Sequence, residues 1–449
     1  MSDFPDFPVW LAEVSPTWQW NWQHQMFLYE ELSLVTSGDC NRLMIFMPPR
    51  HGKSETVTVH YSAYRLVKNP LMNVIIGCYN QKLANRFSRK IRRIAVNRID
   101  LSKERKAAEE WETAAGGGVR AVGVGAGVTG FGAGLILIDD PVKSRAEAES
   151  ANQRDRVWDW FNDDIYTRLE PGGTIVLIQT RWHEDDLAGR LIREMKEGGE
   201  KWKIISLPAL AEPASAGEAE LEAEGYPREE GEPLCPERFD RAALLKIQKK
   251  LGSYSFAALY QQRPVPLDGG LFKRAWFKRL IDKAPDGLQW ARGYDLAVSI
   301  KTSADYTASF RCAFDKEGNL IIADGYRGRI EFPEQRKFLI EKMLTEKNTR
   351  HGIEKALHGQ AFVQELRRVA EIRHVPLKDV KVDGDKFTRA LAWANLAEEG
   401  RVILVRGAWN DEFLDEVCQF PGGQHDDQVD AVSLAVRMLS ATTNKLHRF

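Results

Sequence analysis

The sequence predicts an α/β protein of two domains, the first on a parallel sheet and the second on a sheet that opens with antiparallel strands. Three observations predict it. Up to about residue 210, short apolar strands alternate with amphipathic helices. An acidic stretch punctuated by Gly and Pro, residues 212–233, then breaks the pattern. From about Gln289 a new alternation begins, with strands expected at 290–297, 306–314 and 320–326 and helices alternating with short strands after them. At 449 residues the chain is too long for a single core. The expected boundaries are 1–210, a linker with a small helical subdomain over 211–270, and 271–449. A helix is expected over 241–260, and residues 263–270, Arg-Pro-Val-Pro-Leu-Asp-Gly-Gly, form a second connector.

Composition narrows the function classes. The net charge of −1 leaves no overall basic footprint, which argues mildly against a protein that coats nucleic acid with its whole surface and makes any such contact local. The five cysteines, Cys40, Cys78, Cys235, Cys312 and Cys418, form no C-x-x-C pair, which argues against a disulfide framework or a zinc site. No apolar run is long enough to span a bilayer, and the start lacks a basic segment followed by an apolar one. A cytosolic protein with no membrane partner is expected.

The first domain carries a nucleotide signature. An apolar strand, Leu43-Met44-Ile45-Phe46, runs into Met47-Pro48-Pro49-Arg50-His51-Gly52-Lys53-Ser54, with a helix expected next. This is the strand–loop–helix setting of a P-loop, although Met47 stands where the usual first glycine would be. In such a loop Arg50 and Gly52 lie against phosphate, Lys53 reaches the β/γ-phosphates and Ser54 offers its hydroxyl to Mg²⁺. A second apolar strand, Leu135-Ile136-Leu137-Ile138, ends in Asp139-Asp140, the form of a Walker B element. Asp139 would hold the metal ion and Asp140 orient the attacking water, with Glu147 and Glu149 as alternative bases. A third strand, 174–178, ends in Gln179-Thr180-Arg181, where Thr180 is either a γ-phosphate sensor or part of a satisfied loop. Gln25, before a helical run, is either an adenine contact or simply solvated.

Residues 80–94 have the spacing of one amphipathic helix, with Arg86, Arg89, Lys90 and Arg93 apart from the apolar stripe of Leu83, Phe87, Ile91 and Ile94. That face is either a run of DNA-phosphate contacts or a solvated surface. The same two readings apply to Lys273, Arg274, Lys278, Arg279 and Lys283, which interleave with Phe272, Trp276 and Phe277.

The second domain carries separated acids. Three antiparallel strands followed by α/β alternation suit a ribonuclease-H-like sheet. Asp295 shares one side of its strand with Ala291, Gly293 and Ala297, small residues that would leave room for a metal and a phosphate. Glu354 is expected at the end of a short strand, and His425-Asp426-Asp427-Gln428-Val429-Asp430-Ala431 opens a helix. Helical spacing puts Asp427 and Asp430 on the apolar face and leaves Asp426 to cap the helix. Carboxylates clustered in this way suit hard divalent cations, two of which could activate water and stabilise a leaving oxygen. Lys386 and Arg389, one turn apart, could hold a scissile phosphate or begin a solvated helix.

Together these elements resemble the phage large terminase family. The most specific stretches are 48–54, 130–141, Gln179-Thr180-Arg181-Trp182-His183-Glu184-Asp185-Asp186-Leu187-Ala188-Gly189-Arg190, Tyr260-Gln261-Gln262-Arg263-Pro264 and 425–431, and the likeness covers about 20–440 in order. The resemblance implies a P-loop ATPase motor, a linking subdomain and a ribonuclease-H/RuvC-like nuclease. It implies ATP and Mg²⁺ as cofactors, with Mn²⁺ able to substitute in the nuclease. Its implied partners are double-stranded DNA, a small terminase subunit and the portal protein of a procapsid, on which a homo-oligomeric ring assembles. The setting would be the host cytoplasm, with no place in the mature virion. By position it assigns nucleotide and Mg²⁺ to Lys53, Ser54 and Asp139, coupling to Thr180, the adenine contact to Gln25, and nuclease metals to Asp295, Glu354 and Asp427. Related sequences carry Arg between the glycines where this one has Gly130-Phe131-Gly132, which leaves Arg120 and Arg145 as arginine-finger candidates. The competing readings are a helicase–nuclease of DNA repair and a nucleotide-regulated DNA-binding module with a degenerate nuclease.

Overall fold

Parallel neighbours need long crossovers, and the alternation of apolar runs with helices supplies them. The computed structural model describes residues 4–212, 223–264, 270–297, 306–355, 357–382, 385–423 and 425–446. Parts of both expected connectors, 213–222 and 265–269, lie outside the described residues. The chain divides into two units, Met1–Pro266 and Leu267–Phe449, and the helix Arg241–Leu259 falls in the first.

The first unit contains β1 (Arg42–Phe46), β2 (Asn73–Cys78), β3 (Leu101–Lys106), β4 (Glu110–Thr113), β5 (Gly118–Gly123), β6 (Ala133–Asp139), β7 (Leu169–Gln179) and β8 (Lys203–Ser206). Their order is β3-β4-β5-β2-β6-β7-β1-β8. From β5 to β8 every pairing is parallel, whereas β3 and β4 add an antiparallel edge that the sequence reading did not contain. Leu43 and Ile45 enter one apolar core and Met44 and Phe46 another, on opposite faces of the sheet. Burial on both faces makes these strands continuous apolar runs rather than alternating ones.

The second unit contains β9 (Arg279–Ile281), β10 (Trp290–Asp295), β11 (Thr307–Phe314), β12 (Leu320–Gly328), β13 (Thr349–Glu354), β14 (Leu377–Val380) and β15 (Val402–Val405), in the order β14-β13-β10-β11-β12-β15-β9. The expected antiparallel trio is β10, β11 and β12, with parallel strands added on either side. Helix Asp427–Leu446 lies across β10, β11 and β13.

Two glycines allow that helix to lie so close. Gly293 of β10 and Gly352 of β13 are register partners. A Cβ on Gly293 would stand 2.2 Å from the Ala431 carbonyl oxygen, and one on Gly352 would stand 2.3 Å from Met438 Sδ. The sequence reading gave the small residue beside Asp295 to a metal and a phosphate. The structure gives Gly293 to the backbone of the helix instead. Gly293→Ala therefore drives a methyl into rigid main chain, and a stability loss of about 1–3 kcal/mol is expected. Denaturant titration of the intact chain, read on the transition of the second unit, measures it. A transition at the wild-type midpoint would contradict this packing account.

Candidate active sites

In the first unit the strand order assembles a site by itself. β1, β6 and β7 run parallel and end at one edge with Phe46, Asp139 and Gln179, and β7 lies between the other two. The loop after β1 continues into a π-helical segment, Ser54–Tyr61, and then an α-helix, Ser62–Lys68. Lys53 Nζ lies 3.0 Å from Asp140 Oδ1 and 2.9 Å from its Oδ2, and donates to the Thr180 hydroxyl as well. The Thr180 N–H donates to Asp140 Oδ1 at 2.8 Å. Ser54 donates to Asp139 Oδ1 at 3.0 Å, and Thr58 donates to the other oxygen. Sequence reasoning missed Thr58, which lies one helical turn beyond Ser54.

Asp139 is only 1% exposed. Burial, and then the charge of Asp140, push its carboxyl up to about 7, against the pull of Lys53, Thr58 and Ser54. An acid raised in this way beside a hydroxyl suits a hard divalent cation, which supplies the missing positive charge. Asp140 has a left-handed φ of 45°, as do Arg50 at 66° and Gly52 at 91°. Non-glycine residues held there store strain of order 1–3 kcal/mol, which the surroundings must offset. At the loop, two histidines do part of this. His24 donates its Nε2–H to the His51 carbonyl at 3.0 Å, and His51 donates its Nδ1–H to the Pro49 carbonyl at 2.9 Å. Burial pushes both imidazoles down to about 4, so they work as neutral donors at physiological pH. Nothing in the sequence pattern pointed to them.

The other expected nucleotide residues fall around this loop. Arg50 is exposed on it. Gln25 is buried, and its Nε2 lies 4.0 Å from where a Cβ on Gly52 would stand. Gln25 also caps its own helix, accepting from the Trp22 N–H at 3.2 Å. The alternative bases are engaged elsewhere: Glu147 accepts from the Lys143 N–H, and Glu149 binds Arg145 and the Tyr254 hydroxyl. Arg145 sits over the rings of Tyr254 and Trp182, and Arg120 is paired with Glu109 and Glu110. Both arginine-finger candidates are thus held in ion pairs.

Past β7, the Arg181 N–H donates to Gln262 Oε1 at 3.3 Å, while the Gln261 side chain bonds both the N–H and the carbonyl of Leu210. The Tyr260–Pro264 motif thereby ties the far end of the unit to the residue next to Thr180.

The amphipathic helix is Gln81–Ala95, capped by Asn80, whose side chain accepts from the Leu83 N–H at 2.9 Å. Phe87 and Ile91 are buried, while Lys82, Arg86, Arg89 and Arg93 are exposed. Lys90 pairs with Glu55 and leaves the row. The second basic cluster is largely committed to structure: Arg274 pairs with Asp411 and Asp415, and Arg279 lies in β9 with its guanidinium on Asn319.

In the second unit, Asp295 and Glu354 end the adjacent parallel strands β10 and β13, and the overlying helix begins at Asp427. Burial, and then Asp430 and Asp427, push the Asp295 carboxyl well above the ordinary carboxylate range, with Glu354 adding to them and Lys386 opposing. A cavity of about 370 Å³ is lined by Asp295, Glu354, Thr388, Arg389 and Asp430, among others. Among the described residues, no three acid, histidine or cysteine side chains converge as a formed metal site. Asp430 turns instead to Lys386, at 3.1 Å, and to Arg389. Asp426 starts the helix through its carbonyl, which accepts from the Asp430 N–H at 3.0 Å. Its carboxylate, expected to cap the helix, pairs with Lys386 at 2.6 Å. Asp295 and Glu354 at two strand ends and Asp427 and Asp430 at one helix start thus offer oxygen atoms of the kind Mg²⁺ or Mn²⁺ takes, without converging on one point.

Known proteins match along this arrangement. A model of the T4likevirus-type terminase large subunit N-terminal region matches residues 44–279, and a model of the terminase RNaseH-like domain matches 292–439. No curated protein matches the chain. The large terminase of the thermophilic bacteriophage D6E is 9% identical in each of two crystal forms. One form covers 90% of this chain and 94% of its own with a TM-score of 0.51, and the other covers 97% and 99% with 0.50. The large terminase of bacteriophage HK97, 12% identical over 91% of this chain and 94% of its own, scores 0.35, so the likeness of fold rests on the D6E pair. With one family model spanning more than half of the sequence and a second spanning most of the rest, the chain belongs to the terminase large subunit family.

Proposed function

We propose that this protein moves double-stranded DNA into a viral procapsid by hydrolysing ATP and cuts concatemeric DNA with a divalent-metal nuclease. The observation that carries the reading is the meeting of Lys53, Ser54, Asp139, Asp140 and Thr180 at one sheet edge. In the motor, Lys53 exchanges its present carboxylate for the β/γ-phosphates, and Ser54 with Asp139 holds Mg²⁺. Asp140, released from Lys53, orients the attacking water, and Thr180 links the γ-phosphate to β7. Gln25 stands at the adenine side of the loop.

In the nuclease, Asp295, Glu354 and Asp427, with Asp430 beside them, hold Mg²⁺ or Mn²⁺, which supplies activated water and a counter-charge to the leaving oxygen. The portal, a small terminase subunit and a ring of identical chains complete the assembly in the host cytoplasm. The test is ATPase and plasmid-nicking assays on the purified chain, with Mg²⁺ and Mn²⁺ in parallel. Neither activity under either metal overturns the reading, and unwinding of a forked duplex would move it to a helicase–nuclease.

The exposed row Arg86, Arg89 and Arg93 is assigned to duplex phosphates. Replacing all three with alanine is expected to reduce the slope of log affinity against log salt by about 2 to 3, since each neutralised phosphate contributes about 0.9. A binding titration across salt concentrations measures it, and an unchanged slope removes this helix from the DNA path.

A further inference from the structure

We propose that the Lys386 ammonium is the resident counter-ion of the acid cluster and competes with the divalent metal for Asp430. The inference rests on the nuclease reading above. The two oxygens of Asp430 are divided between two cations, Lys386 at 3.1 Å on Oδ2 and Arg389 on Oδ1. Lys386 also reaches Asp426 Oδ1 at 2.6 Å, so one ammonium bridges both acids. Its backbone is fixed at the first residue of helix Lys386–Glu398, which Asp385 caps by accepting from the Thr388 N–H and hydroxyl at 2.8 Å each. The lysine is therefore held beside Asp430, which lines the cavity.

The two cations differ in how firmly they are held. The Lys386 side chain is 52% exposed, whereas Arg389 is 15% exposed. An ion pair that open to water is weak, and lysine's long flexible stem lets the ammonium leave without moving the helix. Arg389 is enclosed and stays. A divalent ion brings twice the charge of the ammonium, and to engage Asp430 as well it displaces Lys386. Lys386 is then a positioning residue that sets the metal concentration at which the nuclease loads.

A lysine that served only to hold the scissile phosphate would leave metal affinity unchanged when no DNA is present. The test therefore measures Mn²⁺ binding to the intact chain by titration calorimetry, without DNA or nucleotide. The cluster's share is the binding lost in Asp427→Asn. Lys386→Met, which keeps the stem and removes the charge, is expected to tighten that binding about tenfold or more. Lys386→Arg is expected to stay near wild type. Lys386→Gln repeats the charge removal should the methionine variant fail to fold. Cluster binding that is present but unchanged or weaker in the neutral variants overturns the inference and leaves the nuclease reading standing. No Mn²⁺ binding lost in Asp427→Asn removes both.

Discussion

Replacing Lys53 with alanine is expected to lower ATP turnover by at least about a hundredfold, with plasmid nicking retained. Lys53 is 6% exposed and is the cation shared by Asp140 and Thr180 at the strand ends. The substitution removes a charge-assisted phosphate contact worth a few kcal/mol, and each 1.4 kcal/mol of barrier is about tenfold in rate. It also takes from Asp140, beside Asp139, the ammonium that pairs with it. Lys53 is one of the groups that hold the Asp139 carboxyl down, so without it that carboxyl rises further above its present value of about 7. Protons then compete with Mg²⁺ at higher pH. Residual Mg²⁺–nucleotide binding in Lys53→Ala is therefore expected to recover only as pH rises past the wild-type range. Lys53→Met, which keeps the buried stem, separates loss of charge from loss of packing. The measurements are turnover, nucleotide affinity against pH, and melting temperature. Wild-type turnover in a folded Lys53→Ala protein would sink the assignment of this site.

What the sequence showed follows burial. β1, β6 and residues 174–178 of β7 are buried, so each carries an apolar run whose polar end stands out: Lys53 and Ser54 after one, Asp139-Asp140 after another, Thr180 after the third. β3 and β4 were not legible because Leu101-Ser102-Lys103-Glu104-Arg105-Lys106 lies at the sheet edge largely in solvent, where no apolar pattern is required. β9 is three residues inside a basic stretch and is defined by its pairing to β15. The helix expected over 241–260 has its broken turn at Gly252, with φ of 76°, a conformation that the apolar spacing does not encode. Asp295 is legible as an acid among small residues on one side of a strand expected over 290–297, and the strand in fact ends at it. Its surroundings are not, because they depend on tertiary contacts: Lys386 meets Asp426 across forty positions and His24 meets His51 across twenty-seven. The smallness of Gly293 is legible in the sequence, but its neighbour, the main chain at Ala431, is not.

Among the three acids at the start of the last helix, Asp427 is expected to be the one without which cleavage stops. Asp427→Asn should reduce metal-dependent nicking by about a thousandfold, some 4 kcal/mol of barrier, and leave ATP hydrolysis intact. Gly293 and Gly352 bring this helix onto β10 and β13, which puts its first residue beside the strand ends that carry Asp295 and Glu354. Asp427 is 3% exposed, and its charge is one of those that raise the Asp295 carboxyl, so the two acids share one field. Repulsion of that kind between buried carboxylates is relieved when a divalent ion binds among them. Asp426 differs in both respects. Its side chain is 32% exposed and its carboxylate is occupied by Lys386, so Asp426→Asn removes a partly solvated ion pair and is expected to keep nicking within about tenfold of wild type. Asp430→Asn is expected to fall between. It takes a carboxylate from the cluster and leaves the enclosed Arg389 without its partner, so a fall in melting temperature should accompany the partial loss of cleavage. Plasmid nicking across a Mn²⁺ titration, with melting curves for each variant, ranks the three. Full cleavage by Asp427→Asn, or complete loss confined to Asp426→Asn, would reverse the choice of ligand and move the metal to the Lys386 side of the helix.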